Sequence, residues 1–294
     1  MEAKASSTAI AAARMRAAHL LLDGDPKIFR DDFALRFSGS DETSLREYLK
    51  TMLAQVAAKV GSNRAQKLFA SMRTVMVMRS RYTEDALSRA ITRGITRFAI
   101  LGAGLDSFAW RRPDLAASVE VFEIDHRATQ QWKQQRLREL GMNQPSNLTF
   151  VPIDFEKETL IDGLRQRGFP LEKPTFFSWL GVTQYLTSDT VLGTLKQVAT
   201  MAPTTEISFT FVVPQALVDG DDQQVFAMSV ANAAAAGEPW LSFFEPQELQ
   251  SRLRESGFTR VEHLSPNEAN ARYFAGRSDG LRVPAMHHVM LAGV

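Results

Sequence analysis

The stretch "FAILGAGLDSFAW" (98–110) places two glycines, Gly102 and Gly104, after a short apolar run, with Asp106 two residues beyond. A glycine turn at the end of a strand lets a ligand come close to the backbone. Further on, "VEVFEID" ends in Glu123 and Asp125. That is about 20 residues past the glycines, where a carboxylate at the end of a second strand holds ribose hydroxyls. A third acid, Asp154, closes "FVPIDF" and is followed by Phe155. A carboxylate for the exocyclic amine and an aromatic face for the ring suit adenine. Three acids at three successive strand ends point to a cofactor containing adenosine.

Charge narrows the choice. A dinucleotide carries a pyrophosphate, which needs a third small residue and an open helix N-terminus. Here Ser107 holds that third position and Asp106 precedes it, so a carboxylate would face the phosphates. S-adenosylmethionine has no phosphate; its tail carries a sulfonium and an ammonium, which Asp106 attracts. No GK[ST] follows the glycines, which removes a P-loop. The electrostatics favour S-adenosylmethionine, with a nicotinamide-dependent oxidoreductase and a cofactor-binding regulatory protein without turnover as alternatives.

The elements that must position these residues alternate in the expected way. From residue 98 onward, apolar or β-branched runs ("RFAIL", "SVEVFEI", "LTFVPI", "PTFFSWL", "EISFTFVV", "RVEHL", "HHVMLAGV") alternate with helical stretches. This predicts an α/β fold with a doubly wound, largely parallel sheet of seven strands. "SDTVLGTLKQVATM" reads as a helix capped by Thr187 with Val191, Leu195 and Val198 on one face; "EPQELQSRLRESGF" reads as another, with Pro246 in its first turn and Gly257 as its stop. Residues up to about 95 are helical in pattern. In "DETSLREYLKTMLAQVAAKV" Leu45, Leu49, Met52 and Val56 share a face, and Gly61 ends the helix. One domain is expected over 1–294, with a helical cover over about 1–95 and a Rossmann-like core over about 96–294.

Bulk properties exclude several classes. Lys and Arg number 34 against 33 Asp and Glu, a formal net charge of +1, so no global field favours nucleic acid or an anionic membrane. The absence of cysteine removes disulfides, thiolate metal sites and cysteine nucleophiles, and fits a cytoplasmic setting. No apolar run approaches the roughly 18 residues of a membrane span, and charges interrupt "MEAKASSTAIAAARMRAA" before a signal-peptide core forms.

The blocks "MRSRYTEDAL", "LGAGLDSFAWR", "VFEIDHRATQQWK", "FVPIDF" and "SWLGVTQYL", in that order, resemble the leucine carboxyl methyltransferase family, including its bacterial branch of provisionally named S-adenosylmethionine-dependent methyltransferases. "STAIAAARMRAAHLL", "DDFALRF" and "GFTRVEHL" are similar to that branch as well, so the resemblance covers nearly the whole chain. It implies a class I methyltransferase fold whose last strand is antiparallel, with an added helical cover. It also implies roles: Arg79 for the cofactor carboxylate, which a guanidinium fork suits; Gly102 and Gly104 for the turn; Asp125 for the ribose; Asp154 and Phe155 for the adenine pocket. The sequence departs from the family at Leu180, where a glutamate often precedes the glycine of the fourth-strand motif.

The resemblance therefore implies S-adenosyl-L-methionine-dependent O-methyl transfer to a carboxyl or hydroxyl group of a small molecule. An ionised carboxylate needs no general base, whereas a hydroxyl is helped by one. Tyr185 and Trp179, near the end of the fourth strand, are the candidates to face the reacting methyl group. Trp240, Phe243 and Phe244 in "EPWLSFFEP" either line an apolar acceptor cleft or pack against the cover. Of the five histidines, His126 reads as a helix-start residue, and His287 and His288 as structural residues of the last strand, one facing in and one out. No grouping has metal-ligand spacing.

Overall fold

The computed structural model describes residues 7–155 and 157–294. Its first ninety residues are helical: α1 (Ser7–Leu22), α2 (Ala34–Phe37), α3 (Glu42–Val60) and α4 (Ser62–Thr92). Asp41 starts α3 through a capping box with Ser44, and Gly61, at φ +85°, separates α3 from α4. Leu45 and Leu49 are buried as their spacing predicts, with Met52 and Val56 packed beside them against Met15 and Ala18 of α1. A buried polar relay joins α1 to α4. The His19 ring meets Asp23 at 2.8 Å and accepts from the Ile28 N–H at 3.1 Å, and Arg73 grips the same Asp23 carboxylate at 2.7 Å.

The rest of the chain runs through β1 (Arg97–Leu101), α5 (Phe108–Arg111), α6 (Pro113–Ala116), β2 (Glu120–Asp125), α7 (Arg127–Glu139), β3 (Leu148–Pro152), α8 (Leu160–Gln166), β4 (Phe176–Trp179), α9 (Ser188–Ala199), β5 (Glu206–Val212), α10 (Asp221–Ala235), α11 (Pro246–Glu255), β6 (Arg260–Leu264), α12 (Pro266–Ala269) and β7 (His287–Gly293). The strands form one sheet in the order β3-β2-β1-β4-β5-β7-β6. β7 runs antiparallel to both β5 and β6, and the other neighbours are parallel. All seven coincide with the apolar runs of the sequence. β1, β4 and β5 are buried along their whole length, as parallel strands covered on both faces must be.

Local signals also hold. Thr187 caps α9 by accepting from the Thr190 N–H, and Pro246 opens α11. The cover shares a core with the sheet. Val77, Met78 and Leu87 of α4 belong to the same apolar cluster as Phe98 of β1 and Phe176 of β4, and Thr83 Oγ1 lies 2.8 Å from Ser208 Oγ of β5. Strand order reverses between β1 and β4, so the crevice beyond their carboxyl ends is where an open sheet of this kind binds its ligand.

Candidate active site

That crevice is a cavity of about 740 Å³. Because β3, β2 and β1 are neighbours in that order, Asp154, Asp125 and Asp106 stand in a row along its floor, with Gly102, Gly104 and Phe155 among them. Asp125 ties the row to the glycine turn: its Oδ2 accepts from the Gly104 N–H at 2.6 Å and its Oδ1 from the His126 N–H at 2.6 Å. Burial pushes the Asp125 carboxyl above its usual range, and these two backbone donors oppose that. Asp106 accepts from the Phe108 N–H at 2.7 Å, so it also fastens the start of α5. Gly102 sits at φ +66°, and a Cβ there would lie 2.5 Å from Val182 Cγ2. The turn admits no side chain.

Arg79 of α4 enters from the opposite side, with Asp106 and Tyr185 facing it. Among the described residues its guanidinium makes no hydrogen bond or ion pair. Burial, and then the neighbouring Arg16, bring its pKa down to about 10, so it is a desolvated cation seeking an anion. Room for it depends on Gly181, at φ +72°, where a Cβ would fall 2.1 Å from Arg79 Nη1. The roof joins α1 to the segment after α10: the Thr8 hydroxyl bonds the Glu238 carboxylate, and Leu241 N–H donates to Gln184 O at 2.6 Å.

Two expected site residues do not reach this cavity. Trp179 is wholly buried in the core, because alternation along β4 turns Ser178 and Leu180 toward the cavity and Trp179 away. Glu123 lies one step below Asp125 on β2 and is covered by Lys133 of α7, at 2.5 Å. Asp154 does not cap the following helix: Thr159 caps α8, while Asp154 meets Lys157 Nζ at 2.6 Å. His126 caps α7, as expected. The expectation that one of His287 and His288 faces outward fails. β7 lies between β5 and β6 with both faces covered, His288 pairs with His263 at 2.8 Å, and His287 lines a second chamber.

That second chamber, about 260 Å³, adjoins the first: Thr8, Ala12, Arg79, Gly181 and Tyr185 line both. Its other walls are largely apolar and include Met15, Met72, Met76 and Met286. Trp240 lines it, whereas Phe243 packs on Phe226 at 5.7 Å and Phe244 is buried in the core.

Residues 9–199 match the family described as leucine carboxyl methyltransferase. The chain belongs to the leucine carboxyl methyltransferase family. A Bacillus subtilis relative, YktD, provisionally named an S-adenosyl-L-methionine-dependent methyltransferase, is 33% identical over 95% of this chain and 94% of its own. A provisionally named methyltransferase of Frankia alni is 26% identical over 67% of this chain and 64% of its own. A solved Thermobifida fusca structure superposes with a TM-score of 0.60 at 13% identity, covering 99% of this chain and 95% of that one. A DUF574 family protein from Streptomyces avermitilis gives 0.54 at 15% identity, over 80% and 89%. The fold is that of the class I methyltransferases.

Within this family member, two residues that brace the cavity carry no local sequence signal. Arg16 of α1 is one: it pairs with buried Asp31 at 2.8 Å and donates to Leu105 O at 2.7 Å, bracing the glycine turn from the cover. Lys133 is another, reaching Asp106 O at 2.6 Å from below. Each of these partners is distant in the chain, so only the folded arrangement reveals them. Among the described residues, no helix is long and apolar enough to cross a membrane.

Proposed function

We propose that this protein is an S-adenosylmethionine-dependent O-methyltransferase that methylates a carboxyl or hydroxyl group of a small molecule in the cytoplasm. Methyl transfer with this cofactor accords with the family and with the Bacillus subtilis relative's name. The single observation that carries the site assignment is Arg79, a desolvated guanidinium with no hydrogen bond or ion pair among the described residues, in the same cavity as the acid-lined glycine turn.

The residues present fit the cofactor. Arg79 would hold its carboxylate, and Asp125, whose oxygens keep lone pairs beyond the two backbone bonds, would accept from ribose hydroxyls. Asp154 and Phe155 would hold adenine, and Asp106 supplies negative charge on the side of the sulfonium and ammonium. The cofactor supplies a methyl group already activated by positive sulfur. What the chain must add is alignment and dryness. The roof made by α1 and the 237–241 segment excludes water, and the chamber beyond Tyr185 orients the acceptor. Leu180 lines the cavity at the position where the family resemblance implies a glutamate, so the ammonium would meet Asp106 or a backbone carbonyl instead.

Calorimetric titration tests this reading, with S-adenosylmethionine and its demethylated product beside NADH. Micromolar binding of the first two, none of NADH, and a loss of at least tenfold in Asp125→Asn are expected. Tight NADH binding, or no binding of either sulfur compound by folded protein, would overturn it.

A further inference from the structure

Besides Arg79, the small chamber is lined by Trp240, whose buried Nε1–H has no hydrogen-bond partner among the described residues, and by the His287 ring. The His287 ring makes no hydrogen bond among the described residues; its backbone N–H meets Pro284 O, and the ring lies edge-on to Trp240, centroids 6.0 Å apart. It faces apolar walls, Met72, Met76 and Met286 among them. Every charged or titratable group near it is accounted for. Arg79 comes from α4, Tyr185 from the turn after β4, His288 is its neighbour in β7, and Asp222 of α10 is held by Arg282 at 2.5 Å. Burial, then Arg79, then His288 bring the imidazole down to about 3. The ring is therefore neutral throughout the physiological range.

These facts discriminate between the two acceptor types. An ionised carboxylate entering an apolar chamber needs a cation or several donors, since burying it unpaired is costly. Among the described residues Arg79 is the only cation that lines the chamber, and the reading above commits it to the cofactor's carboxylate. A neutral imidazole has one accepting and one donating nitrogen, and the Trp240 Nε1–H is a donor beside it. A hydroxyl uses both, giving its proton to the ring and accepting from the indole, whereas a carboxylate brings a full charge that no other cation lining the chamber neutralises among the described residues. Resting on that reading of the larger cavity, the geometry points to a hydroxyl-bearing apolar molecule, such as a phenol of one or two rings, as the acceptor, with His287 accepting a hydrogen bond from its hydroxyl group. The four methionines lining the chamber allow it to adapt to a flat ring. His287 is thus the residue that selects a hydroxyl over a carboxylate.

The test uses protein saturated with the demethylated cofactor product, so that Arg79 is engaged, and three probes of like shape: 2-naphthol, 2-naphthoate and naphthalene, followed by calorimetry or probe fluorescence. 2-Naphthol should bind at least tenfold tighter than 2-naphthoate, and its affinity should stay flat from pH 5 to 8. His287→Leu should weaken 2-naphthol about tenfold while leaving naphthalene unchanged, and His287→Gln, which keeps an acceptor, should recover part of the loss. Equal or tighter binding of 2-naphthoate by the wild type overturns the proposal whether or not the leucine variant folds. So does an equal loss of naphthalene in that variant. Titration of the same proteins with S-adenosylmethionine separates the two readings: binding retained while naphthol selectivity fails overturns only the acceptor class, whereas a wild type that binds no S-adenosylmethionine overturns the methyltransferase site itself.

Discussion

Lys133 Nζ lies 2.5 Å from Glu123 Oε2 and 2.6 Å from the Asp106 carbonyl oxygen, with both side chains buried beneath the glycine turn. Burial pushes the Glu123 carboxyl up to about 7, and Lys133 holds it back. Phe37, Trp110 and Phe150 surround the ammonium, with the Trp110 ring nearest at 5.2 Å. The pair supports the turn from below while Asp125 holds it at the surface.

Removing the cation should expose the acid's preference for its proton. In Lys133→Met the Glu123 pKa lies further above its unfolded value, so the folded state binds more protons than the unfolded one between those values. Stability of this variant should therefore fall more steeply than that of wild type as pH rises from 5.5 to 8, with an excess of about 1.4 kcal/mol gathered above pH 7, where the wild-type acid is already ionised. Urea midpoints at the two pH values measure it. Adding Glu123→Gln should flatten the slope. A variant as stable at pH 8 as at pH 5.5 would contradict the buried-pair account.

Gly181→Ala tests the cradle of Arg79. The new methyl would lie 2.1 Å from Nη1, and φ is +72°, a conformation that costs a residue with a Cβ about 1 kcal/mol. The guanidinium must swing away, so S-adenosylmethionine affinity should drop at least tenfold in calorimetry. Affinity for adenosine, which lacks the carboxylate, should change little. Parallel losses for both ligands would show that Arg79 does not read the carboxylate.

Acid should unfold the protein through its far sheet edge. His288 Nε2–H donates to Ala285 O at 2.9 Å, which leaves Nδ1 to accept from His263 Nε2–H at 2.8 Å, the rings stacked 5.0 Å apart. Burial, and then His263, lower His288 to about 4, and burial lowers His263 as well. Both folded values lie below the unfolded 6.5, so the unfolded chain takes up protons first. Stability contributed by these rings is complete above pH 6.5 and is lost as pH falls toward 4, at about 1.4 kcal/mol per pH unit for each proton. His288→Gln should remove about one proton from that slope in urea titrations between pH 4 and 7.5.

Cover and sheet should unfold together, as one domain over 1–294. All four tryptophans lie beyond residue 96, so their fluorescence reports the core, whereas far-ultraviolet circular dichroism also reports α1, α3 and α4. Coincident thermal transitions by the two probes are expected. An earlier loss of helix signal would make the cover a separate unit.

Much of this architecture is readable before folding. "RFAIL" and "EISFTFVV" stand out because strands buried on both faces need uninterrupted apolar side chains, and Thr187 and Pro246 mark helix starts through chemistry confined to a few neighbouring residues. Asp106, Asp125 and Asp154 are visible as strand-end acids, though only the order β3-β2-β1 sets them side by side. Glu123 and Asp125 could not be ranked from their positions. They share one face of β2, and the helix that covers the lower of the two, with Lys133, packs there only in the folded protein.

Tyr185 and Trp179 show the same limit: a strand's alternation is plain, but which parity faces the ligand depends on the layers packed against it. The small chamber is the extreme case. Met15, Met76, Trp240 and His287 come from α1, α4, a loop and β7, and no local pattern links them. The amino-acid sequence alone determined the elements, the class of fold, the family and the acid-lined glycine turn, because these rest on periodicity and short-range chemistry. Tertiary structure alone decided which acid stays buried, which arginine is buried in the cavity and which histidine lines the small chamber, because burial and pairing are properties of surfaces that meet only when distant segments pack.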